Sequence, residues 1–204
     1  MTQNQQETPT VFIVDDDPAI RFAMQALMDS VNIEHEIYSS GDEFLESVDD
    51  HRAGCLVLDI RMPGLGGLEL QEELIKRDST LPIIFITGHG DVPMAVDAMQ
   101  KGAVDFIQKP VRDQDLLDRI REALKTDAER REEQQKHAEV AERLDRLTNR
   151  EREVFDLVVT GKPNKVIAYE LGVSQRTVEI HRARVMEKMQ ARSLADLVKM
   201  HMTA

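Results

Sequence analysis

The chain of 204 residues lacks the features that mark secreted, disulfide-bonded and membrane proteins. Cys55 is its single cysteine, which excludes an internal disulfide framework and any multi-cysteine zinc site. The longest apolar runs, Cys55–Leu58 and Pro82–Ile86, are far shorter than the roughly 20 residues that a membrane-spanning helix needs. The polar segment Met1–Thr10 has none of the basic and apolar regions of a secretory signal. These absences favour a cytoplasmic protein without a membrane partner.

Basic residues are also scarce, with 26 Lys and Arg against 38 Asp and Glu, a net charge of −12. The imbalance is uneven: residues 1–125 carry −13, residues 126–147 carry −2, and residues 148–204 carry +3. Only the C-terminal segment could therefore approach a polyanion, although a small positive charge is more typical of an ordinary solvated surface. Hydrophobic residues make up 41% of the chain, which is enough to bury a core.

The first 125 residues alternate short apolar runs with amphipathic stretches, behind an N-terminal segment, 1–9, that is predicted to be disordered. Stripes at helical spacing, such as Leu116, Leu117, Ile120 and Leu124, follow apolar runs. Such strand–helix units predict an α/β fold over residues 10–125, with a parallel sheet between two layers of helices. The runs that predict strands are Val11–Val14, His35–Tyr38, Cys55–Leu58, Ile83–Ile86 and Val104–Ile107.

Two further segments follow. Residues 126–144 contain no Gly or Pro and carry acid–base pairs four residues apart, which predicts a solvent-exposed helical linker; a flexible charged tether is the alternative. Residues 145–204 predict a small all-α domain of four short helices. Its first helix begins with a capping box, Thr148 with Glu151, and Ser174 is predicted to cap the third.

Polar residues follow the predicted strands. The first strand runs into Asp15 and Asp16, the third into Asp59, the fourth into Thr87 and the fifth into Lys109. Ligands of open α/β sheets bind beyond the carboxyl ends of the strands, so these groups are expected to meet in one crevice. Oxygen ligands alone favour Mg²⁺ as a cofactor. One carboxylate oxygen would remain free to attack phosphorus and form an aspartyl phosphate.

Two alternatives accompany this interpretation. A lone Asp after a strand is commonly a turn residue or helix cap, and Asp17 before Pro18 fits that role. A phosphatase-like enzyme could also turn over small phosphate esters through Asp59, but it would need a substrate-selecting cap, and the connecting segments are too short to build one.

Four stretches, Val-Asp-Asp-Asp-Pro, Leu-Asp-Ile-Arg-Met-Pro-Gly, Ile-Thr-Gly-His-Gly and Phe-Ile-Gln-Lys-Pro, resemble the receiver domain of two-component response regulators. The resemblance covers residues 10–125 and implies a flavodoxin-like sheet of strand order 2-1-3-4-5. It implies that Asp59 is the phosphoacceptor. Mg²⁺ would be held by Asp16, Asp59 and the backbone carbonyl of Arg61, with Asp15 acting through a water.

The same resemblance assigns the switch residues. Thr87 and Lys109 match the switch hydroxyl and the phosphate-stabilising lysine of the family. Phe106 takes the place of the switch aromatic, with an ordinary core aromatic as the alternative. The Lys109–Pro110 bond is expected to be cis.

The C-terminal segment has the spacing of a helix-turn-helix. Ala168 suits the point where two helices cross, Gly172 the turn, and Val178 an apolar anchor in a second helix, Gln175–Met189. Residues 145–201 resemble the LuxR-type output domain, and the whole chain resembles the FixJ-like regulators. The residues expected to contact DNA are Lys165, Arg176, Thr177, Glu179, Arg182 and Arg184.

Some roles in this domain stay open at this stage. Glu179 could accept from a cytosine amino group or pair with Arg182 within the helix. His181 is expected to pack at the helix base. The helix over Ser193–Met200 could dimerise or pack within the domain. A protein-binding role for the helical tail, in place of DNA binding, is a further alternative.

The resemblance implies a phosphorylation-controlled transcription regulator rather than an enzyme. A sensor histidine kinase would phosphorylate Asp59, and the face made by Val92–Lys101, the fifth strand and Asp113–Leu124 would then form a homodimer. Promoter DNA is the expected target, and RNA polymerase is a possible further partner.

Overall fold

The computed structural model describes residues 8–47, 49, 52–88 and 92–203. Of the N-terminal segment that was predicted to be disordered, residues 1–7 lie outside the described residues, and Thr8 and Pro9 are exposed without regular structure. The chain divides into two units between Arg130 and Arg131.

The first unit is built on a parallel sheet of order β2-β1-β3-β4-β5. The fold class predicted from the sequence and the strand order implied by the family resemblance are therefore confirmed. Each predicted strand agrees with an observed one to within a residue at either end. The strands are β1 (Thr10–Val14), β2 (His35–Tyr38), β3 (Gly54–Asp59), β4 (Ile83–Thr87) and β5 (Asp105–Gln108).

Helices cover both faces of this sheet, and alternation along the strands feeds two apolar clusters. In β1, Phe12 and Val14 join one cluster, whereas Val11 and Ile13 join the other, because successive side chains of a strand point to opposite faces. Because the strands between these two layers are parallel, their carboxyl ends lie at one rim of the sheet. The polar residues at the strand ends therefore lie at that rim as well. The helices are α1 (Pro18–Ser30), α2 (Gly41–Ser47), α3 (Gly67–Lys76), α4 (Val92–Gln100) and α5 (Asp113–Asp145).

Helix α5 is one element of 33 residues, and its two ends belong to different cores. Leu116 and Ile120 pack in the first unit. Val140 and Leu144 are buried in the second, so the predicted linker is solvent-exposed mainly between residues 128 and 139.

The second unit contains α6 (Asn149–Val159), α7 (Asn164–Leu171), α8 (Gln175–Lys188) and α9 (Leu194–Thr203). The capping box at Thr148 forms with both of its hydrogen bonds, and Ser174 accepts from the Thr177 N–H. Gly172 adopts the left-handed conformation (φ 66°) that the turn between α7 and α8 requires. Within the described part of the chain, no helix is long and apolar enough to cross a membrane.

Candidate functional site

The Lys109 ammonium joins two aspartates, Asp15 and Asp59, at the rim of the sheet. Its Nζ donates to Asp15 Oδ2 at 2.7 Å and to Asp59 Oδ1 at 2.9 Å. Burial alone would lower the pKa of Lys109, but the hydrogen bonds to both carboxylates outweigh it and hold that pKa above its ordinary value. Lys109 is therefore a permanent cation between the ends of β1 and β3. The Lys109–Pro110 bond that follows is cis, as the resemblance implies.

The carboxylate of Asp59 is oriented by a second donor. Its Oδ2 accepts from the backbone N–H of Arg61 at 2.8 Å, and its side chain is largely buried. Each carboxylate oxygen can accept two hydrogen bonds. Both oxygens therefore have a restrained direction while keeping a lone pair for an incoming group.

Asp15 is buried and is anchored to the loop that starts α1. Its Oδ1 accepts from the Asp17 N–H at 2.9 Å, and Arg21 donates to its backbone carbonyl at 2.7 Å. Burial raises the pKa of Asp15, and the hydrogen bonds from Lys109 and Asp17 offset only part of that effect. A carboxylate in this position favours a nearby cation. Asp17 caps α1 as expected, since it accepts from the Ala19 N–H.

Asp16 faces a different environment. It is exposed and lines an open cleft of about 560 Å³ together with Arg61, Pro63, Glu69 and others. Among the described residues, no three His, Cys, Asp or Glu side chains lie close enough to hold a metal as placed. The chemistry of the donors nevertheless fits a hard cation: they are carboxylate oxygens beside an open cleft, and the lysine ammonium already compensates two of them.

Thr87 and Phe106 lie on the neighbouring strands β4 and β5. Thr87 is 1% exposed, and its carbonyl accepts from the Lys109 N–H at 2.8 Å. Phe106 is half-buried, with its ring centroid 6.4 Å from that of Phe85. Phe106 is thus less enclosed than Phe85, which is fully buried.

Gly67 supports the loop after Asp59. A Cβ on Gly67 would lie 2.3 Å from the backbone oxygen of Asp59 and 2.9 Å from Ile60 Cα. Only glycine allows α3 to start so close to the end of β3. In the sequence, the closely spaced glycines Gly64, Gly66 and Gly67 are typical of a turn, but they do not reveal this contact.

In the second unit, α7 and α8 form the helix-turn-helix. Val178 and Val185 of α8 are fully buried, and Ala168 of α7 is 7% exposed. Four of the six residues that the sequence nominated for DNA contact have exposed side chains: Lys165, Arg176, Glu179 and Arg184.

The other two nominated residues take part in contacts within the unit. Arg182 is half-buried, and its Nη1 donates to Asn164 Oδ1 at 3.0 Å. The Thr177 hydroxyl lies 2.8 Å from the Ser174 hydroxyl at the start of α8. Ile180 was not nominated, yet it is a large apolar residue of α8 that is 46% exposed. The signal that could have singled out Ile180 is an apolar residue of α8 that lies outside the buried positions Val178 and Val185.

Two residues whose role was open have defined surroundings. His181 is half-buried, and within the described part of the chain its Nδ1 is buried without a hydrogen-bond partner. In α9, Leu197 is fully buried in the core of the unit, whereas Leu194 is 37% exposed.

Comparison with known proteins identifies both units. Residues 11–121 match the family of the response regulator receiver domain, and residues 145–201 match the bacterial regulatory proteins of the luxR family. The chain therefore belongs to the two-component response regulators that join a receiver domain to a LuxR-type DNA-binding domain. These are transcription regulators rather than phosphatase-like enzymes.

Several characterised proteins resemble the chain over nearly its whole length. Nodulation protein W of Bradyrhizobium diazoefficiens is 49% identical over 193 residues, which cover 95% of this chain and 85% of that protein. The transcriptional regulatory protein FixJ of Azorhizobium caulinodans is 43% identical over 198 residues, covering 97% and 94%. The solved structure of the response regulator StyR is 44% identical with a TM-score of 0.90, covering 97% of this chain and all (100%) of that one.

Proposed function

We propose that Asp59 is phosphorylated by a partner sensor histidine kinase in the presence of Mg²⁺, and that phosphorylation promotes dimerisation and binding to promoter DNA. The observation that carries the proposal is the position of Asp59, at the end of β3 with Lys109 Nζ 2.9 Å away. A nucleophilic carboxylate beside a permanent cation is suited to receive an anionic group.

The chemical step is a phosphoryl transfer. An oxygen of Asp59 forms a bond to phosphorus, and the bond between phosphorus and the donor breaks, with its electron pair leaving on the donor. Lys109 stabilises the negative charge on the transferred group, and the Arg61 N–H keeps the carboxylate in the attacking orientation. Because Asp59 is largely buried, the open cleft beside Asp16 is the side from which a donor could approach.

Asp16, Asp59 and the Arg61 carbonyl are the proposed Mg²⁺ ligands, with Asp15 holding the ion through a water. Receiver domains as a class bind Mg²⁺ at this acidic site, which supports the assignment. When bound, the ion would neutralise charge on the phosphoryl oxygens. Asp15, which is buried, and Asp16, which is exposed, add two further carboxylates to the proposed site.

Thr87 and Phe106 are the proposed switch. A phosphoryl group on Asp59 adds about −1.5 to −2 charge. The Thr87 hydroxyl would donate to one of its oxygens, and the half-buried Phe106 would repack into the space that Thr87 vacates. The face next to these residues, on α4, β5 and α5, exposes Val92, Val96 and Met99. Pairing of this face with its copy is the proposed dimer.

The proposed DNA surface is made by α8 and the start of α7. Lys165, Arg176 and Arg184 are exposed cations that can contact phosphates or guanine, and Glu179 can accept from cytosine. Ile180 can contact a thymine methyl group.

We propose the segment 126–144 as the linker between residues 10–125 and 145–204. We also propose the bacterial cytoplasm as the location where the protein meets DNA.

The phosphorylation proposal is tested with acetyl phosphate and MgCl₂. The wild-type protein should gain the mass of one phosphoryl group, while Asp59→Asn should gain none. Asp49→Asn, an acid outside the site, is the matched control. Equal incorporation in wild type and Asp59→Asn would contradict the assignment, and incorporation that persists in excess EDTA would contradict the Mg²⁺ requirement.

Dimerisation and DNA binding need a separate measurement. Light scattering with and without the phosphodonor should show a dimer only for the phosphorylated protein. Val96→Glu should remain monomeric and yet incorporate phosphate normally. Footprinting on genomic fragments should then show protection that depends on phosphorylation.

A further inference from the structure

A buried carboxylate interrupts the exposed surface of α5. Asp127 is 1% exposed, although its neighbours Thr126 and Ala128 are exposed. A carboxylate of this kind is costly to bury unless it is hydrogen-bonded and paired. The phosphorylation chemistry does not use Asp127.

Asp127 meets both conditions through two different contacts. Its Oδ2 accepts from the backbone N–H of Gly54 at 3.0 Å, across 73 residues of sequence. Its Oδ1 accepts from Arg130 Nη2 at 2.6 Å, one turn further along the same helix. The carboxylate thus joins the first residue of β3 to α5.

Gly54 is suited to this contact because no other residue fits there. Its φ is +152°, and a Cβ would lie 1.9 Å from the backbone oxygen of Thr10 in β1. The backbone at the start of β3 therefore lies very close to β1 and presents its N–H to the helix. Asp59 occupies the other end of the same strand.

The contact between Asp127 and Gly54 extends the surface by which α5 packs on the sheet. Leu116, Ile120 and Ala123 are buried against the sheet, and Asp127 follows them four residues later on the same face. Cys55, next to Gly54, is fully buried in that cluster. Burial, and after it the negative charge of Asp127, raise the pKa of the Cys55 thiol to about 12.

We propose that Asp127 is a positioning residue that latches α5 to the N-terminal end of β3, so that the helix stays attached to the receiver as far as Arg130. The Asp127 latch, made of Asp127, Gly54 and Arg130, carries the attachment past the last buried apolar residue. At this position a hydrogen bond to the backbone takes the place of an apolar contact, and a hydrogen bond is directional. The latch does not depend on phosphorylation of Asp59.

The test uses the full-length protein and its single thiol. Opening of the latch should expose Cys55, so the rate of its alkylation by iodoacetamide reports the open population under native conditions. Asp127→Ala should be alkylated at least about tenfold faster than wild type, because it loses a buried charge-assisted hydrogen bond. Glu129→Gln, at an exposed acid in the same turn, is the matched control and should react at the wild-type rate.

Hydrogen exchange of the Gly54 amide gives an independent measurement. This amide should be protected in wild type and in Glu129→Gln, and should lose protection in Asp127→Ala. Arg130→Ala removes one partner of Asp127 but keeps the carboxylate that accepts from the Gly54 N–H. It should show a smaller increase in the alkylation rate of Cys55 and in the exchange rate of the Gly54 amide. It replaces Asp127→Ala in the test if that variant does not fold.

The latch is overturned if a folded Asp127→Ala protein keeps the wild-type alkylation rate and Gly54 protection, or if Glu129→Gln raises both rates equally. Asp59→Asn should leave both rates unchanged. Cys55 alkylation and Gly54 exchange therefore test the latch, and phosphate incorporation tests the phosphorylation site. One proposal can fail without the other.

Discussion

The Lys188 ammonium at the end of α8 donates a 2.6 Å hydrogen bond to the carboxylate of Glu151 at the start of α6. The same carboxylate accepts from the Thr148 N–H at 2.9 Å, which completes the capping box. Glu151 is 2% exposed, so one side chain both caps its own helix and ties it to the helix proposed to read DNA.

This relationship predicts a pH dependence for the second unit. The hydrogen bond from Lys188, followed by that from the Thr148 N–H, lowers the pKa of Glu151 from 4.5 to about 2. A lowered pKa in the folded state means that the stabilisation is fully present above pH 4.5 and is lost as the pH falls from 4.5 towards about 2. Glu151→Gln should lower the free energy of unfolding by about 1–2 kcal/mol at pH 7 and flatten this acid dependence.

The measurement is hydrogen exchange of peptides from residues 145–201 between pH 3 and pH 7, corrected for intrinsic exchange. Glu153→Gln, at an exposed acid of the same helix, should retain the wild-type dependence. An acid profile that is the same in wild type and Glu151→Gln would contradict the prediction.

Gly67→Ala should damage the proposed phosphorylation site from a position that carries no functional group. The added Cβ would collide with the backbone oxygen of Asp59, and a backbone neighbour cannot move aside cheaply. We expect a loss of about 1–3 kcal/mol in unfolding free energy and slower phosphate incorporation. Gly66→Ala is the control, since its Cβ would clash with the movable carboxylate end of Glu69 and would lie at an ordinary contact distance of 3.4 Å from the Ile60 backbone oxygen. Equal stability and incorporation in the two variants would disprove the steric argument.

Lys109→Gln should expose the repulsion between Asp15 and Asp59. In EDTA the variant should lose about 1–3 kcal/mol of unfolding free energy, because two buried carboxylates lose their shared cation. Added MgCl₂ should restore more stability to the variant than to wild type, as measured by urea unfolding. Lys101→Gln, which removes exposed ion pairs to Glu72 and Asp97, should change little. A wild-type response of Lys109→Gln to Mg²⁺ would contradict the proposed cation site.

Arg182→Ala should weaken DNA binding without altering phosphorylation. If the guanidinium contacts a phosphate, the slope of log affinity against log salt should fall by about 1. Arg182 has two roles to separate: the proposed contact with DNA and the hydrogen bond to Asn164 within the domain. Asn164→Ala removes the 3.0 Å hydrogen bond but keeps the charge of the guanidinium. Binding titrations at several salt concentrations distinguish them. An unchanged affinity and salt slope in Arg182→Ala would remove this residue from the DNA contacts.

Local pattern explains how much of the receiver the sequence predicted. Short apolar runs that end in Asp15, Asp59, Thr87 and Lys109 define strands and their ends, and parallel strands bring those ends to one rim. The caps of α6 and α8 were equally predictable, because a cap depends on residues only three positions apart.

The sequence by itself thus determined the positions of the strands, the starts of α6 and α8 and the residue types gathered at the rim, whereas the strand order was implied by the family resemblance. Only the tertiary structure decided that Lys109 bridges Asp15 and Asp59 while Asp16 faces an open cleft. It also decided that Asp127, which the charge pattern placed on a solvated linker, is buried against Gly54. The physical reason is range: periodicity records which side chains share a helix face, but the partner of a charged group across 73 residues is chosen by packing.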